Sequence, residues 1–167
     1  MALAPSLYAT LLTDVAADAA LAALPHNSDS ADAIATAYRA TAVPDFWVWR
    51  TSVTLKEIYE TTTADGTSWS STIYIARSQA ERDAWRDVFV VMGTINASLL
   101  NARQGIADIF SGAGGLAQRT HLLTIGRRRA TRIEKLLATG TGSTANPATM
   151  QFEGPLDIND ILHAWGQ

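Results

Sequence analysis

The chain has 167 residues, 47% of them hydrophobic and 17% charged, with a formal net charge of −3; it is long enough to bury a core and too apolar to be disordered throughout. It contains no cysteine, which excludes disulfides, thiolate metal sites and cysteine nucleophiles. No apolar run approaches the roughly 20 residues that span a bilayer, and the alanine-rich N-terminus, interrupted by Asp14 and Asp18, lacks the basic leader of a signal peptide.

Ser6 to Leu24 is rich in Ala and Leu, and Tyr8, Leu11, Leu12 and Val15 follow i, i+3, i+4, i+7 spacing, which predicts a helix with one apolar stripe. Leu24-Pro25 ends it, since the residue before proline is pushed out of the α region. A polar connector, 26–30, leads to a second predicted helix from Ala31 to Ala40, and Pro44 closes the region. Phe46-Trp47-Val48-Trp49 is the densest aromatic stretch. Thr54 and Glu57 are spaced as a capping box with Val53 and Ile58 as its hydrophobic staple, so a short helix is predicted to end near Tyr59. Residues 61–71 read as a polar loop with a turn at Asp65-Gly66, and Thr72–Ile75 as a candidate strand.

Ser78 and Glu81 form a second capping box. Behind it, Trp85, Val88, Phe89 and Met92 are predicted to share one helix face, stopped by Gly93. A helix over Ser98–Phe110 would bury Ile106, Ile109 and Phe110, with Gly105 inside it at a propensity cost of roughly 1 kcal/mol. Ser111–Gly115 reads as a turn and Leu116–Arg127 as a further helix. Thr131 and Glu134 form a third box. Residues 138–142 and 148–152 are short and β-tolerant, which predicts a hairpin. Asp157 caps a last helix, stapled by Leu156 and Ile161 and ending near Trp165. The fold expected is mainly α, a helical bundle with a small β-hairpin near the C-terminus, taken as one domain over 1–167 with the hairpin at 138–154.

Charge is uneven. Residues 1–100 carry 6 basic and 11 acidic side chains, residues 103–135 carry 7 basic and 2 acidic, and the remainder holds three acids and no Lys or Arg. Such polarity suits a protein that meets a charged partner on one side, including another copy of itself. If helix ran through the basic cluster, Arg128, Arg132 and Lys135 would align at i, i+4, i+7, fit to neutralise phosphates or acids of a neighbouring subunit, or simply to face solvent. No aromatic residue interleaves with it, which disfavours a base-stacking site.

Other constellations give less. His26, His121 and His163 lack the spacing that puts two metal ligands on one helix face. The glycine tracts 112–115 and 140–142 lack the lysine of a phosphate loop and read as turns. Asp83/Asp87 and Asp157/Asp160 read as a solvated helix face and a helix opening rather than an acid–base pair. No nucleophile, base and orienting group assemble, so no enzyme and no cofactor is expected. Of the five tryptophans, most belong in a core, whereas Trp165 and the Phe46–Trp49 stretch are candidate anchors for a partner.

A series of motifs runs through residues 45–155: Val48-Trp49-Arg50-Thr51, Glu57-Ile58-Tyr59, Gln79-Ala80-Glu81-Arg82, Asn101-Ala102-Arg103-Gln104-Gly105-Ile106 and Ile109-Phe110-Ser111-Gly112. It continues with Arg119-Thr120, Ala130-Thr131-Arg132-Ile133-Glu134, Ala138-Thr139-Gly140-Thr141-Gly142, Pro147-Ala148-Thr149-Met150 and Phe152-Glu153-Gly154. In that order the series resembles small virion proteins of tailed bacteriophages from the head–tail connector region. The resemblance implies a structural adaptor joining portal to tail in a homo-oligomeric ring, around DNA that passes without sequence specificity. Its partners would be itself, the portal and a tail or neighbouring connector protein, with no membrane. It would be assembled in the host cytoplasm and located at the head–tail interface of the virion. On that reading Arg127, Arg128, Arg129, Arg132 and Lys135 are candidate subunit or DNA-channel contacts, and Trp165 and Phe152 of the hairpin region are candidate docking residues. The alternatives are a capsid-stabilising or other head-completion protein, and, in another class, a small DNA-binding regulator.

Overall fold

The structure, a computed structural model, describes residues 2–167. In chain order it comprises a 3₁₀ turn at Pro5–Leu7, α1 (Tyr8–Ala17), α2 (Ala19–Ala22), α3 (Ser28–Arg39), β1 (Trp47–Trp49), β2 (Val53–Thr54), α4 (Leu55–Glu60), α5 (Ser71–Ile75) and α6 (Gln79–Ala84). A π-helical segment, Trp85–Val90, comes directly after α6. Then come β3 (Thr94–Ile95), α7 (Leu100–Ile109), α8 (Gly112–Ile125), β4 (Arg127–Arg129), α9 (Arg132–Leu136), β5 (Ala138–Thr139), β6 (Thr149–Met150) and α10 (Ile158–Ala164). The fold is mainly α, 53% helical with 10% strand. The described residues fall into two compact units: residues up to Val48 with Arg129–Gln167, and Trp49–Arg128. The chain passes from one to the other inside β1 and β4.

The first unit is built on α3, whose Ala31, Ile34, Ala35 and Tyr38 lie at i, i+3, i+4, i+7 and are all buried. Leu11 and Val15 of α1, Ile133 and Leu137 from the α9 region, Phe152, Leu156 and Ile161 complete its core. The single helix expected over Ser6–Leu24 is broken at Asp18, where the backbone turns extended and the carboxylate accepts the N–H groups of Ala20 and Leu21. Aspartate here caps a new turn instead of continuing the old one. Two buried carboxylates hold distant segments through backbone donors. Asp160 accepts from Leu3 N at 2.8 Å and Asp157 N at 2.9 Å. Glu134 accepts from Thr131 N at 2.9 Å and Gly154 N at 3.2 Å. The hairpin forms as an antiparallel pair, Ala138 opposite Met150 and Thr139 opposite Thr149.

In the second unit, β2 pairs antiparallel with β3, Val53 opposite Ile95. The Thr54 capping box closes in both directions, and both staple residues, Val53 and Ile58, are buried. Replacing Thr54 with alanine is expected to cost about 0.5–2 kcal/mol, read as a lower urea midpoint with an unchanged slope. Thr72–Ile75 is helix, not strand: Ser70 accepts the Ile73 N–H and so starts α5. The expected turn at Ser111–Gly115 shrinks to Ser111. Gly112 reverses the chain at φ +67°, and Gly115 lies inside α8, where a Cβ would stand 2.3 Å from the Phe110 carbonyl oxygen. The core of this unit gathers Val53, Ile58, Trp85, Phe89, Ile106, Phe110, Leu122 and Ile125.

The largest departure from expectation is at Trp85–Val90. Val91 N–H donates to the Arg86 carbonyl, five residues back, at 3.0 Å. One extra residue in a turn rotates the succeeding side chains by about 100° around the helix axis. Trp85 and Phe89 are buried, but Val88 and Met92, expected beside them, face outward, and Met92 is 73% exposed.

Candidate interaction surface

The basic segment is not one helix. Arg127, Arg128 and Arg129 form β4, while Arg132 and Lys135 lie on the short α9, so the expected i, i+4, i+7 stripe does not form. Within the second unit, Arg127 stands 3.7 Å from Asp65. Within the first, Arg129 pairs with Asp45, and Lys135 donates to the Val43 carbonyl at 3.3 Å and lies over the Phe46 ring.

Arg132 is the most committed. It donates to Asp18 at 2.9 Å and to Asp14 at 3.0 Å, and its guanidinium lies 4.4 Å over the Tyr38 ring. Tyr38 in turn donates its hydroxyl to Asp14 at 2.5 Å. Burial first, then that carboxylate, push the Tyr38 phenol above its ordinary range. The Arg132 hydrogen bond holds the Asp18 carboxyl below its ordinary value of 3.8. A carboxylate with a lowered folded pKa adds stability above its unfolded value and loses it as pH falls through the folded one. Replacing Arg132 with leucine is therefore expected to lower the urea midpoint at neutral pH. The gap from wild type should narrow as pH drops below about 4; a gap constant with pH would deny the Asp18 linkage.

The two candidate docking residues part company. Phe152 is 3% exposed and belongs to the first unit's core, so it has no face to offer a partner; β6 ends two residues earlier, and the chain there turns inward. Trp165 is half-buried and stacks on His26 with ring centroids 4.3 Å apart and an interplanar angle of 12°. The pair borders an apolar hollow of about 380 Å³, whose other walls include Leu12, Val15, Leu21 and Leu24. His121 is buried, with Nε2 2.9 Å from the Ile58 carbonyl oxygen and Nδ1 3.5 Å from Thr67 Oγ1.

Sequence reasoning missed a larger apolar feature, which lies wholly in the second unit. The π-helical segment and α7 enclose a cleft of about 450 Å³. Its floor is Phe89, Gly105 and Ile109, and its lips are Val88, Met92 and Leu99. Val91 and Leu100 beside it are exposed too. Asp108 and Asn101 stand at the rim. Asp83 on α6 and Asp87 within the π-helical segment flank the lining residues Ala84 and Val88 in the chain and share the single cation Arg86 at 3.0 and 2.9 Å. An open, apolar, acid-rimmed cleft made by a π-helical turn has the composition of a docking site. The sequence carried one signal of it. Val88-Phe89-Val90-Val91-Met92 is apolar without interruption, and no single helix face can bury five consecutive residues.

Among the described residues, no helix is long and apolar enough to cross a membrane. No known protein family, curated protein or solved structure matches this chain.

Proposed function

We propose that this chain is a structural protein of a tailed-bacteriophage particle, an adaptor that joins the portal to the tail as a homo-oligomeric ring around the DNA channel. It works by interlocking surfaces. The order of motifs over residues 45–155 suggests the particle, and the acid-rimmed apolar cleft of the second unit is the observation that carries the assembly role. Exposing side chains such as Val88, Met92 and Leu99 to water is unfavourable, and covering them lowers the free energy. The pairing of Arg127, Arg129 and Arg132 with carboxylates of their own unit favours assembly over a regulator that spends those charges on DNA phosphates.

The test is the solution mass of the purified protein, measured by light scattering alone and with the portal of a candidate phage. Rings, or co-migration with the portal, support the adaptor. Co-migration with capsid shells instead would move the assignment to a head-completion protein. A monomer that ignores the portal and retains duplex DNA with a steep salt dependence would overturn it in favour of the regulator.

A further inference from the structure

The second unit carries another exposed apolar pair, Ile75 at the end of α5, which is 68% exposed, and Leu116 on α8. α5 packs against α8, and three arginines gather around that junction. Arg77 donates to the Ser111 carbonyl at 3.1 Å, Arg119 to the Phe110 carbonyl at 3.4 Å, and Arg82 to the Ile75 carbonyl at 3.0 Å. None of the three has a carboxylate within ion-pair distance among the described residues. The first turn of α8 contains no acid, so the positive end of its dipole adds to the same field. The patch is therefore apolar at its centre and basic at its edge. The cleft is apolar at its centre, with Asp108 at its rim, while Asp83 and Asp87, which share the one cation Arg86, flank its lining residues Ala84 and Val88 in the chain.

We infer that the occupant of the cleft is a second copy of this chain, which seats Ile75 and Leu116 between Val88, Met92 and Leu99 and sets Arg77 and Arg119 against Asp87 and Asp108. The match is one of kind at both levels. Apolar groups cover apolar groups, and the unpaired cations of one copy meet the surplus carboxylates of the next, which sets register and rejects the like-charged alignment. Because the two patches differ, the contact is heterologous. It closes into a ring or extends when repeated by rotation, and closes a pair when two copies present both patches to each other. The inference deepens the assembly reading above and rests on it.

Two surface variants of the full chain test it, Met92→Asp in the cleft and Leu116→Asp in the patch. Both residues are exposed, so the far-ultraviolet circular dichroism should be unchanged. Sedimentation of the wild type should show association that weakens with added salt. Each variant alone should lose at least about tenfold in association constant. An equimolar mixture of the two should regain a mixed species, because one variant keeps the patch and the other keeps the cleft. A wild type that stays monomeric at its highest soluble concentration would overturn the pairing. So would variants that assemble as the wild type does, or a mixture no stronger than its parts. If the wild type does not self-associate but still binds the portal, the pairing fails and the adaptor role stands. Self-association together with co-migration with capsid shells instead of the portal keeps the pairing and removes the adaptor role.

Discussion

Replacing Trp85 with alanine is expected to remove about 3–5 kcal/mol of unfolding free energy, the usual cost of deleting a large buried aromatic side chain. Trp85 is 1% exposed and sits at the centre of an aromatic group. Ring centroids of Phe89, Trp69 and Phe110 lie 5.0, 5.4 and 5.6 Å away, and its indole N–H donates to the Tyr59 hydroxyl at 3.4 Å. Truncation leaves a cavity with ring walls that cannot collapse without moving the neighbouring side chains. A loss of that size is a large share of the roughly 5–15 kcal/mol that holds a typical domain together. Urea unfolding followed by fluorescence of the remaining tryptophans measures it, and Trp85→Phe should recover most of the loss. A midpoint within about 1 kcal/mol of wild type would show that this group is not the second unit's keystone.

Phe152→Ala is expected to cost the first unit a similar amount, about 3–5 kcal/mol. The side chain lies in the same core as Tyr38, Ile133, Leu156 and Ile161, and nearby Glu134 holds the backbone at Gly154. The result separates two roles for the same residue. A docking side chain would change partner binding and leave the unfolding midpoint alone. A core side chain moves the midpoint, and any loss of binding then comes from loss of fold. The expected outcome is the second, since 3% exposure leaves nothing to touch.

Local signals in the sequence were reliable where two of them agreed. All three Ser/Thr–Glu capping boxes form, at Thr54, Ser78 and Thr131, and Asp157 opens α10 with its expected staple buried. A cap needs only residues three apart, so its energetics are contained in the stretch of chain that is read. The failures come from specific contacts that composition and spacing alone do not show. Gly115 looks like a turn residue, yet it lies in a helix, where glycine is required because the Phe110 carbonyl leaves no room for a Cβ. Thr72–Ile75 has strand composition, but the Ser70 cap commits it to helix. Arg132 reads as a contact for something external, whereas Asp14 and Asp18, more than a hundred residues earlier, claim it. The cleft was illegible for a different reason. Helical periodicity assumes a constant turn, and the π-helical segment changes the turn at the point where Val88 and Met92 would otherwise have joined the core.

The division of the chain also dictates an order of events during synthesis. The second unit is one uninterrupted stretch, Trp49–Arg128, so all the residues of its core leave the ribosome before the stretch from Arg129 onward does. The first unit is split around it. Ile34 and Tyr38 emerge before the second unit, but Ile133, Phe152 and Ile161, which share their core, are translated after it. While the second unit emerges, α1 and α3 carry an apolar stripe with no complement, the condition under which nascent chains recruit holdases or associate wrongly. Loop-closure entropy between segments so far apart adds to the delay. Emergence of the stretch from Arg129 onward is thus the step that lets the first unit close, and stalling before that point should leave the second unit formed and the first waiting.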